Sequence, residues 1–432
     1  MSSERPSAEE EARPSWGRAS ARGFLVLLLL AVLGQALAVA LRAAGLGPRS
    51  PGNVFKVGFL YVSWFHHAVV RVSIQTPPEG GGALGGGVHA GLAFLSVTGL
   101  AAFLLFRAGR SLASGAGGGA MARTLHGAEV APAYAIGALL ASLPGTMRFE
   151  TAAFGVVTVR PDRVQAFLLP LILAAVAGGA GGLLSDAPAR DGGRRLAAVL
   201  VGGFRMLVLA LTLSFVALLL LAAMEPESTR EYFNAVSEPS GARTALILGH
   251  HILLLPNQSM WVLVPAMGGC DEVRTPNVTT RLACFERAPR VAGTLADVGV
   301  TKRTLGAGGG GGGRPSFRYL IFLLVPPLST FLGGRVGARA SARSSAEGAA
   351  IGAAAGVVFA LLVVVGSWAS GATGTLVGGS DQPAGRFSVG PSPLIGGSLA
   401  LAWGVVLGAT GGWFEVRRPL SGGAKEQQAQ QV

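Results

Sequence analysis

Long apolar runs separated by short polar stretches dominate the chain, and most of the runs have the length that crosses a bilayer. A hydrocarbon core about 30 Å thick needs roughly 20 mainly apolar residues per helix. The pattern predicts eight transmembrane helices, which are Gly23–Leu41, Val88–Phe106, Val130–Leu143, Val164–Leu184, Met206–Met224, Tyr319–Leu332, Ala349–Trp368 and Leu394–Trp413. No small-residue cleavage site closes the first run, so we interpret it as a retained span rather than a signal peptide.

Two further apolar stretches contain polar residues that an ordinary span would exclude. Val54–Val70 contains His66 and His67, whereas Ala245–Met267 contains a second histidine pair and the sequence Pro256-Asn257. Ionisable residues at membrane depth usually face protein or water, and proline removes a backbone donor. The pattern therefore predicts two re-entrant or broken helices. The alternative is two ordinary spans with proline kinks and buried histidines.

These ten elements fall into two sets of five that resemble each other. Gly155–Gly182 aligns with Gly385–Gly412 at an offset of 230 residues, with nine identical positions. Arg107-Ala-Gly109 follows the third element of the first set, and Arg335-Val-Gly337 follows the third element of the second. A His-His pair lies in the second element of each set. Because basic loops prefer the cytoplasm, this arrangement favours parallel repeats related by an axis along the membrane normal.

The predicted fold class is therefore an all-α integral membrane protein with about eight transmembrane helices and two re-entrant or broken helices, arranged as two parallel five-element repeats. Both termini are expected in the cytoplasm. The predicted divisions are a disordered N-terminus over 1–22, a first membrane repeat over 23–195, a second membrane repeat over 196–418 with an extracytoplasmic loop over 268–318, and a disordered tail over 419–432.

Composition supports a membrane protein and removes other classes. Half of the residues are hydrophobic and 13% are charged, against about 25% charged in a typical soluble domain. The formal net charge is +13, but most arginines flank apolar runs. No basic groove with interleaved aromatic residues is present, so we expect the lipid bilayer as partner and no nucleic acid.

The two cysteines, Cys270 and Cys284, both lie in the predicted outer loop. Disulfides persist in oxidising compartments, so the sequence favours a bridge between them. Two free thiols are the alternative. A metal site is not predicted, because the cysteines lack the paired ligand spacing of zinc sites.

The stretch from His250 to Trp261 is the richest in candidate chemistry. Broken helix ends direct their dipoles into the break, and side-chain amides and hydroxyls supply donors and acceptors there. The residues that could form a substrate or ion site are His66, His67, His250, His251, Asn257, Gln258 and Ser259. The alternative is a polar turn that packs the second half. No H-E-x-x-H, phosphate loop or G-x-S-x-G elbow is found, so we expect no enzyme, no metal and no cofactor.

Two short patches are similar to a known family. Leu104-Leu-Phe-Arg-Ala-Gly-Arg110 closes a span, and Leu253-Leu-Leu-Pro-Asn257 is followed by Pro265-Ala-Met-Gly-Gly269. The chain resembles poorly characterised multi-pass membrane proteins of actinobacteria, some labelled cell-division-associated, of the PerM type. The resemblance implies a bacterial plasma (inner) membrane protein tied to envelope or division processes. The outer 268–318 loop is basic and has no equivalent in the first set, so a protein partner from these processes is expected there. The alternative function is a secondary transporter or channel with its site around Pro256-Asn257.

Overall fold

A computed structural model describes residues 16–75, 86–91, 94–114, 119–151, 155–185, 191–224, 241–275, 279–284, 317–377 and 383–417. The predicted tail over 419–432, most of the predicted N-terminal segment and residues 285–316 of the predicted loop lie outside them.

The first half of the chain consists of helices interrupted by two β-hairpins. Its elements, in order, are α1 (Trp16–Ala43), α2 (Pro51–Phe65), β1 (Val70–Gln75), β2 (Gly86–Gly91), α3 (Leu95–Ala113), α4 (Ala120–Ala128), α5 (Val130–Ser142), β3 (Met147–Thr151), β4 (Gly155–Pro161) and α6 (Arg163–Leu183).

The second half has a similar order, with an additional helix before its first hairpin, a 3-10 helix after that hairpin and one long helix where the first half has α4 and α5. Its elements are α7 (Asp191–Met224), α8 (Gly241–Leu253), α9 (Leu255–Ala266), β5 (Cys270–Arg274), β6 (Thr279–Cys284), a 3-10 helix (Phe317–Leu324), α10 (Val325–Ser341), α11 (Ser345–Ser370), β7 (Ala372–Val377), β8 (Pro383–Pro391) and α12 (Pro393–Arg417). Helix α8 is the additional element, because α9 is the helix that leads directly into a hairpin, as α2 does.

Several helices begin at polar caps that the sequence supplies. The Ser50 side chain accepts a hydrogen bond from the Asn53 amide, and Pro51 lies in the first turn of α2, where no amide donor is needed. Asp162 caps α6 in the same way through Gln165 N–H. Asp162 also accepts from Arg71 of β1, so one carboxylate joins the sheet to a helix. Burial raises its pKa, but the amide donor and Arg71 outweigh burial and hold the pKa below its usual value.

Seven helices among the described residues are long and apolar enough to cross a membrane, which makes this a polytopic helical membrane protein. They are α1, α3, α6, α7, α10 with the residues just before it, α11 and α12. The other predicted span, Val130–Leu143, forms α5, which is only 13 residues long and follows α4 after the single residue Glu129. Neither α2 nor α9 is among the seven.

The described residues also form an eight-stranded antiparallel sheet, which the predicted all-α fold did not include. Its strand order is β3-β4-β1-β2-β7-β8-β5-β6. Strand β2 occupies the start of the predicted span Val88–Phe106, so helix α3 begins only at Leu95. Strand β1 likewise takes Val70 from the end of Val54–Val70. These short strands adjoin apolar helices, so a window of membrane length merges the two.

The strands of the two halves pair in similar registers, apart from register shifts in the second half between Asp271 and Glu272 and between Leu376 and Val377. Val70 of β1 lies opposite Pro161, and Asp271 of β5 lies opposite Pro391. Met147 of β3 lies opposite Val159, as Ala372 of β7 lies opposite Val389. The offset from β4 to β8 is 230 residues in both cases. In strand order and pairing, β5, β6, β7 and β8 thus take the places that β1, β2, β3 and β4 take in the first half, and we call strands and residues matched in this way counterparts.

Helix packing follows the same correspondence. A Cβ atom at Gly109 or Gly127 would collide with the carbonyl oxygen of Gly178; one at Gly334 or Gly352 would collide with that of Gly408. Small residues at such points let helix backbones touch. Gly181 and Gly411 lie in the same way against the carbonyls of Phe106 and Phe331. In these contacts Arg110 and Arg335 each follow a packing glycine directly, whereas the predicted alignment matches Arg107 with Arg335.

The turn from helix to hairpin is alike in both halves. After α2 the amides of His67 and Ala68 donate to Trp64 and Ser63, and after α9 the amides of Gly268 and Gly269 donate to Pro265 and Val264, respectively. The turning residue has positive φ in each case, 61° at His67 and 103° at Gly268. Among the described residues, His67 is the one non-glycine residue with a positive φ.

We expect Gly268→Ala to lower the stability of the protein, because a side chain at this positive φ costs about 1–3 kcal/mol. The measurement is the thermal unfolding midpoint in detergent. Gly249→Ala is the matched control, since Gly249 is helical and a Cβ there meets no atom within 4 Å. An unchanged midpoint for Gly268→Ala would contradict the assigned turn.

Candidate functional site

The predicted break in the second half lies at Leu254, two residues before Pro256. Leu254 separates α8 from α9, and its amide still donates to His250 O while its carbonyl accepts from Gln258 N–H. Pro256 occupies the first turn of α9, where its missing donor has no intrahelical partner to lose. The break is thus a one-residue interruption rather than an unwound segment centred on Pro256-Asn257.

Polar groups on both sides of this break bind the first half of the chain. Asn257 Oδ1 accepts from the Leu95 amide at the start of α3 at 3.0 Å, and Asn257 is only 5% exposed. Ser96 Oγ donates to the Leu253 carbonyl at 2.5 Å. Side chains from the two halves therefore satisfy backbone groups that the start of α3 and the end of α8 leave unpaired.

His250 at the end of α8 is held by Tyr61 of α2. The Nδ1 atom lies 3.0 Å from the Leu246 carbonyl, so it carries the proton and donates. The Nε2 atom lies 2.8 Å from Tyr61 Oη and accepts from the hydroxyl. Phe94 packs against both rings, with centroids 6.0 Å and 6.1 Å away. Both nitrogens of His250 are thus already engaged within the protein.

His66 is engaged in the same manner at a separate place. Its Nδ1 donates to the Val62 carbonyl at 2.7 Å, and its Nε2 accepts from Tyr134 Oη at 2.6 Å. Both side chains are buried, and Tyr134 is among the largest fully buried residues. In the second half the counterparts of this pair are Met267 and Phe359, which form no hydrogen bond of this kind.

The remaining predicted residues have individual partners. His67 is buried, its ring centroid lies 4.5 Å from that of Trp368 on α11, and its Nδ1 has no hydrogen-bond partner. Gln258 donates to His251 Nδ1 at 2.9 Å. Ser259 is buried in α9.

The two histidine pairs do not occupy equivalent positions, contrary to the predicted alignment. His66 and His67 end α2, whereas His250 and His251 lie in α8, which has no counterpart in the first half. The structure brings His250 and Asn257 to the first half but leaves His66 against Tyr134 and His67 against Trp368. Within the described ranges no three His, Cys, Asp or Glu side chains are grouped to hold a metal ion.

The cysteines lie opposite each other in the β5–β6 hairpin. Cys270 is disulfide-bonded, and Cys284 is the only other cysteine of the sequence. The strand register places these two positions directly across from each other. Such a bridge ties β6, the last strand of the sheet, to its neighbour.

Asp271 is a buried acid that the sequence interpretation missed. It is 2% exposed, and its Oδ1 has no hydrogen-bond partner. Burial raises its pKa well above the usual value, and the charge of Glu272 adds to this effect. Its counterpart in the first half is Val70, so an acid stands where the other half has a hydrophobic residue. The run Cys-Asp-Glu after two glycines was the available signal.

Tyr61 and Tyr134 were also missed, although they are the residues that satisfy the histidines. The chain has only four tyrosines, and both of these lie in apolar segments that otherwise lack hydroxyl-bearing aromatic residues. A tyrosine buried in such a segment usually has a hydrogen-bond partner, which was the signal available.

Comparison of the chain with protein-family models, with curated proteins and with solved structures finds no match.

We expect Tyr134→Phe to destabilise the protein by about 1–3 kcal/mol, because it leaves a buried histidine nitrogen without a donor. His66→Met combined with Tyr134→Phe reproduces the second-half pair Met267 and Phe359. The double variant should therefore lose less stability than the sum of the two single variants. Unfolding midpoints of all four proteins test this, and strict additivity would show that the two side chains do not interact.

Proposed function

We propose that this protein is a non-enzymatic polytopic protein of the bacterial plasma membrane whose role is structural, in the envelope or in cell division. One observation carries the proposal. At His66 and His250 both ring nitrogens are occupied by a tyrosine and a backbone carbonyl. The histidines that would form a transport or ion site thus hold helices together instead.

Asn257 supports the same role. A substrate site at a broken helix needs polar groups directed into an accessible cavity. Asn257 is instead buried and bonded to the start of α3. The contacts at the break therefore favour packing between the halves over the transport hypothesis.

We further propose that the chain comprises two parallel repeats with eight spans. Because all eight strands form one sheet, the helix ends that adjoin them lie on the same side. Helix α3 leaves that side, α4 and α5 together return to it, and α6 leaves it again. Helices α10, α11 and α12 follow the same course. This assignment makes α4–α5 the eighth span, as the counterpart of α11.

The same reasoning makes α2 and α8–α9 non-spanning. Helix α7 begins on the side where α6 ends and returns to the side of the sheet. The segment α8–α9 then starts and finishes on the sheet side, as α2 does after α1. With 15 residues, α2 is also shorter than the roughly 20 residues that a span requires.

The disulfide orients the assembly in the cell. Because Cys270 is bridged, the sheet belongs on the oxidising, extracytoplasmic side, and both termini belong in the cytoplasm. The inner ends of the helices then carry the ion pairs of Arg335 and Arg339 with Glu415 and of Arg195 with Glu347. Cationic residues at this side agree with the positive-inside rule. A protein partner would meet the 268–318 loop outside the cell.

This orientation predicts opposite labelling of two positions. Arg386→Cys, at an exposed position of β8, should react with a membrane-impermeant maleimide in intact cells. Arg339→Cys should react only after lysis; the Arg339 side chain is 71% exposed at the far end of α10. The bridged native cysteines do not react. The reverse labelling pattern would contradict the proposed topology.

The structural role predicts that loss of the protein weakens the envelope, measured as entry of an impermeant dye into a deletion strain. His250→Phe combined with Tyr61→Phe should restore the barrier if the amount of protein holds, because this pair removes the polar groups together. If cells with this double variant contain the normal amount of protein but lose uptake or growth, the result would instead favour a transport site.

A further inference from the structure

The two four-stranded units of the sheet are joined through unlike edges. One unit has the order β3-β4-β1-β2 and the other β7-β8-β5-β6. A twofold axis at the junction would pair β2 with its own counterpart, β6. Strand β2 instead pairs with β7, which is the counterpart of β3. The junction is therefore heterologous, since each unit contributes a different edge.

A heterologous junction leaves two free edges that match the two joined ones. Strands β3 and β6 end the sheet as described, and they are the counterparts of β7 and β2. In β3, Arg148, Phe149 and Glu150 are all exposed. An edge strand presents unpaired backbone donors and acceptors, which form a template for another strand.

We propose that a second copy of this chain pairs its β3 edge with the β6 edge of the first, in the antiparallel register of the β2–β7 junction. The proposal rests on the two-unit organisation argued above. The copies then lie side by side in the bilayer, and their sheets form one continuous sheet on its outer face.

The register of the existing junction specifies the register of the new one. At the junction His89 lies opposite Thr375. Arg71 faces His89 in one hairpin, and its counterpart Glu272 faces Arg281 in the other, on the turn side of the register shift between Asp271 and Glu272, so Arg281 is the counterpart of His89. Glu150 is the counterpart of Thr375. The transferred register therefore places Arg281 of one copy opposite Glu150 of the next.

This pairing joins opposite charges at directly facing positions. Facing positions in an antiparallel pair bring side chains close together, and opposite charges there are favourable whereas like charges are not. The pairing of Arg281 with Glu150 is a consequence of the register and was not used to choose it. It supplies charge complementarity between the two free edges.

The helices beside the junction have matching surfaces as well. Within the chain α3 packs against α9 and α11, next to the paired strands β2 and β7. The counterpart of α3 is α10, and the counterparts of α9 and α11 are α2 and α5. Helix α10 of one copy would therefore face α2 and α5 of the next, along the same line as β6 and β3.

A charge exchange tests the register in the full-length protein in lipid nanodiscs or detergent. Glu150→Arg and Arg281→Glu should each raise the dissociation constant for self-association about tenfold, measured by sedimentation. The protein carrying both substitutions should recover the original association. Arg386→Glu is the control, because Arg386 is exposed on the interior strand β8 and should leave association unchanged. A double variant as weak as the singles would overturn the register.

Crosslinking tests the head-to-tail arrangement. Differently tagged copies carrying Glu150→Cys and Arg281→Cys should form mixed dimers with a short bismaleimide, while either variant alone should stay uncrosslinked. Crosslinking of Glu150→Cys with itself would show a twofold contact and overturn the proposal. A link within one chain carrying both cysteines would show closure of its own sheet and would overturn the proposal too. A strictly monomeric protein would also refute the assembly. The labelling pattern of Arg386 and Arg339 tests the proposed orientation separately, because neither position lies in the contact between the copies.

Discussion

Backbone hydrogen bonding between β2 and β7 unites the two halves of this protein. Five facing positions, from Gly87 opposite Val377 to Gly91 opposite Thr373, convert two hairpin pairs into one sheet. Because α3 follows β2 directly and α11 precedes β7 directly, this pairing places their ends side by side. The contacts of Asn257 with Leu95 and of His67 with Trp368 then form at the same boundary.

Polar side chains at this boundary form hydrogen bonds with backbone groups at the ends of helices. Helices that begin or end inside a packed structure leave amides and carbonyls without intrahelical partners. Asn257 and Ser96 satisfy such groups across the halves. Tyrosine hydroxyls donate hydrogen bonds to His250 and His66. Buried networks of this kind stabilise one arrangement because each unsatisfied member would cost free energy. This is why residues typical of a transport site can serve packing.

The sequence predicted the apolar elements well and their ends poorly. Val164–Leu184 and Leu394–Trp413 agree closely with α6 and α12, since each is a long apolar run between polar residues. The predicted span Val88–Phe106 begins too early, because a long hydropathy window does not separate apolar strand residues from apolar helix residues. The break near Pro256 was foreseen, but its place and its partners were not, because hydrogen bonds to Tyr61 and Leu95 join positions more than 150 residues apart.

By itself the sequence determined that the chain is embedded in a membrane, roughly where its helices lie and which two cysteines could pair. These properties depend on the apolar length and composition of local segments. Only the tertiary structure decided that the hairpins form one sheet, that its two units meet through unlike edges and that the histidines face tyrosines. Such choices depend on which distant segments satisfy one another's hydrogen bonds, and no local pattern encodes that selection.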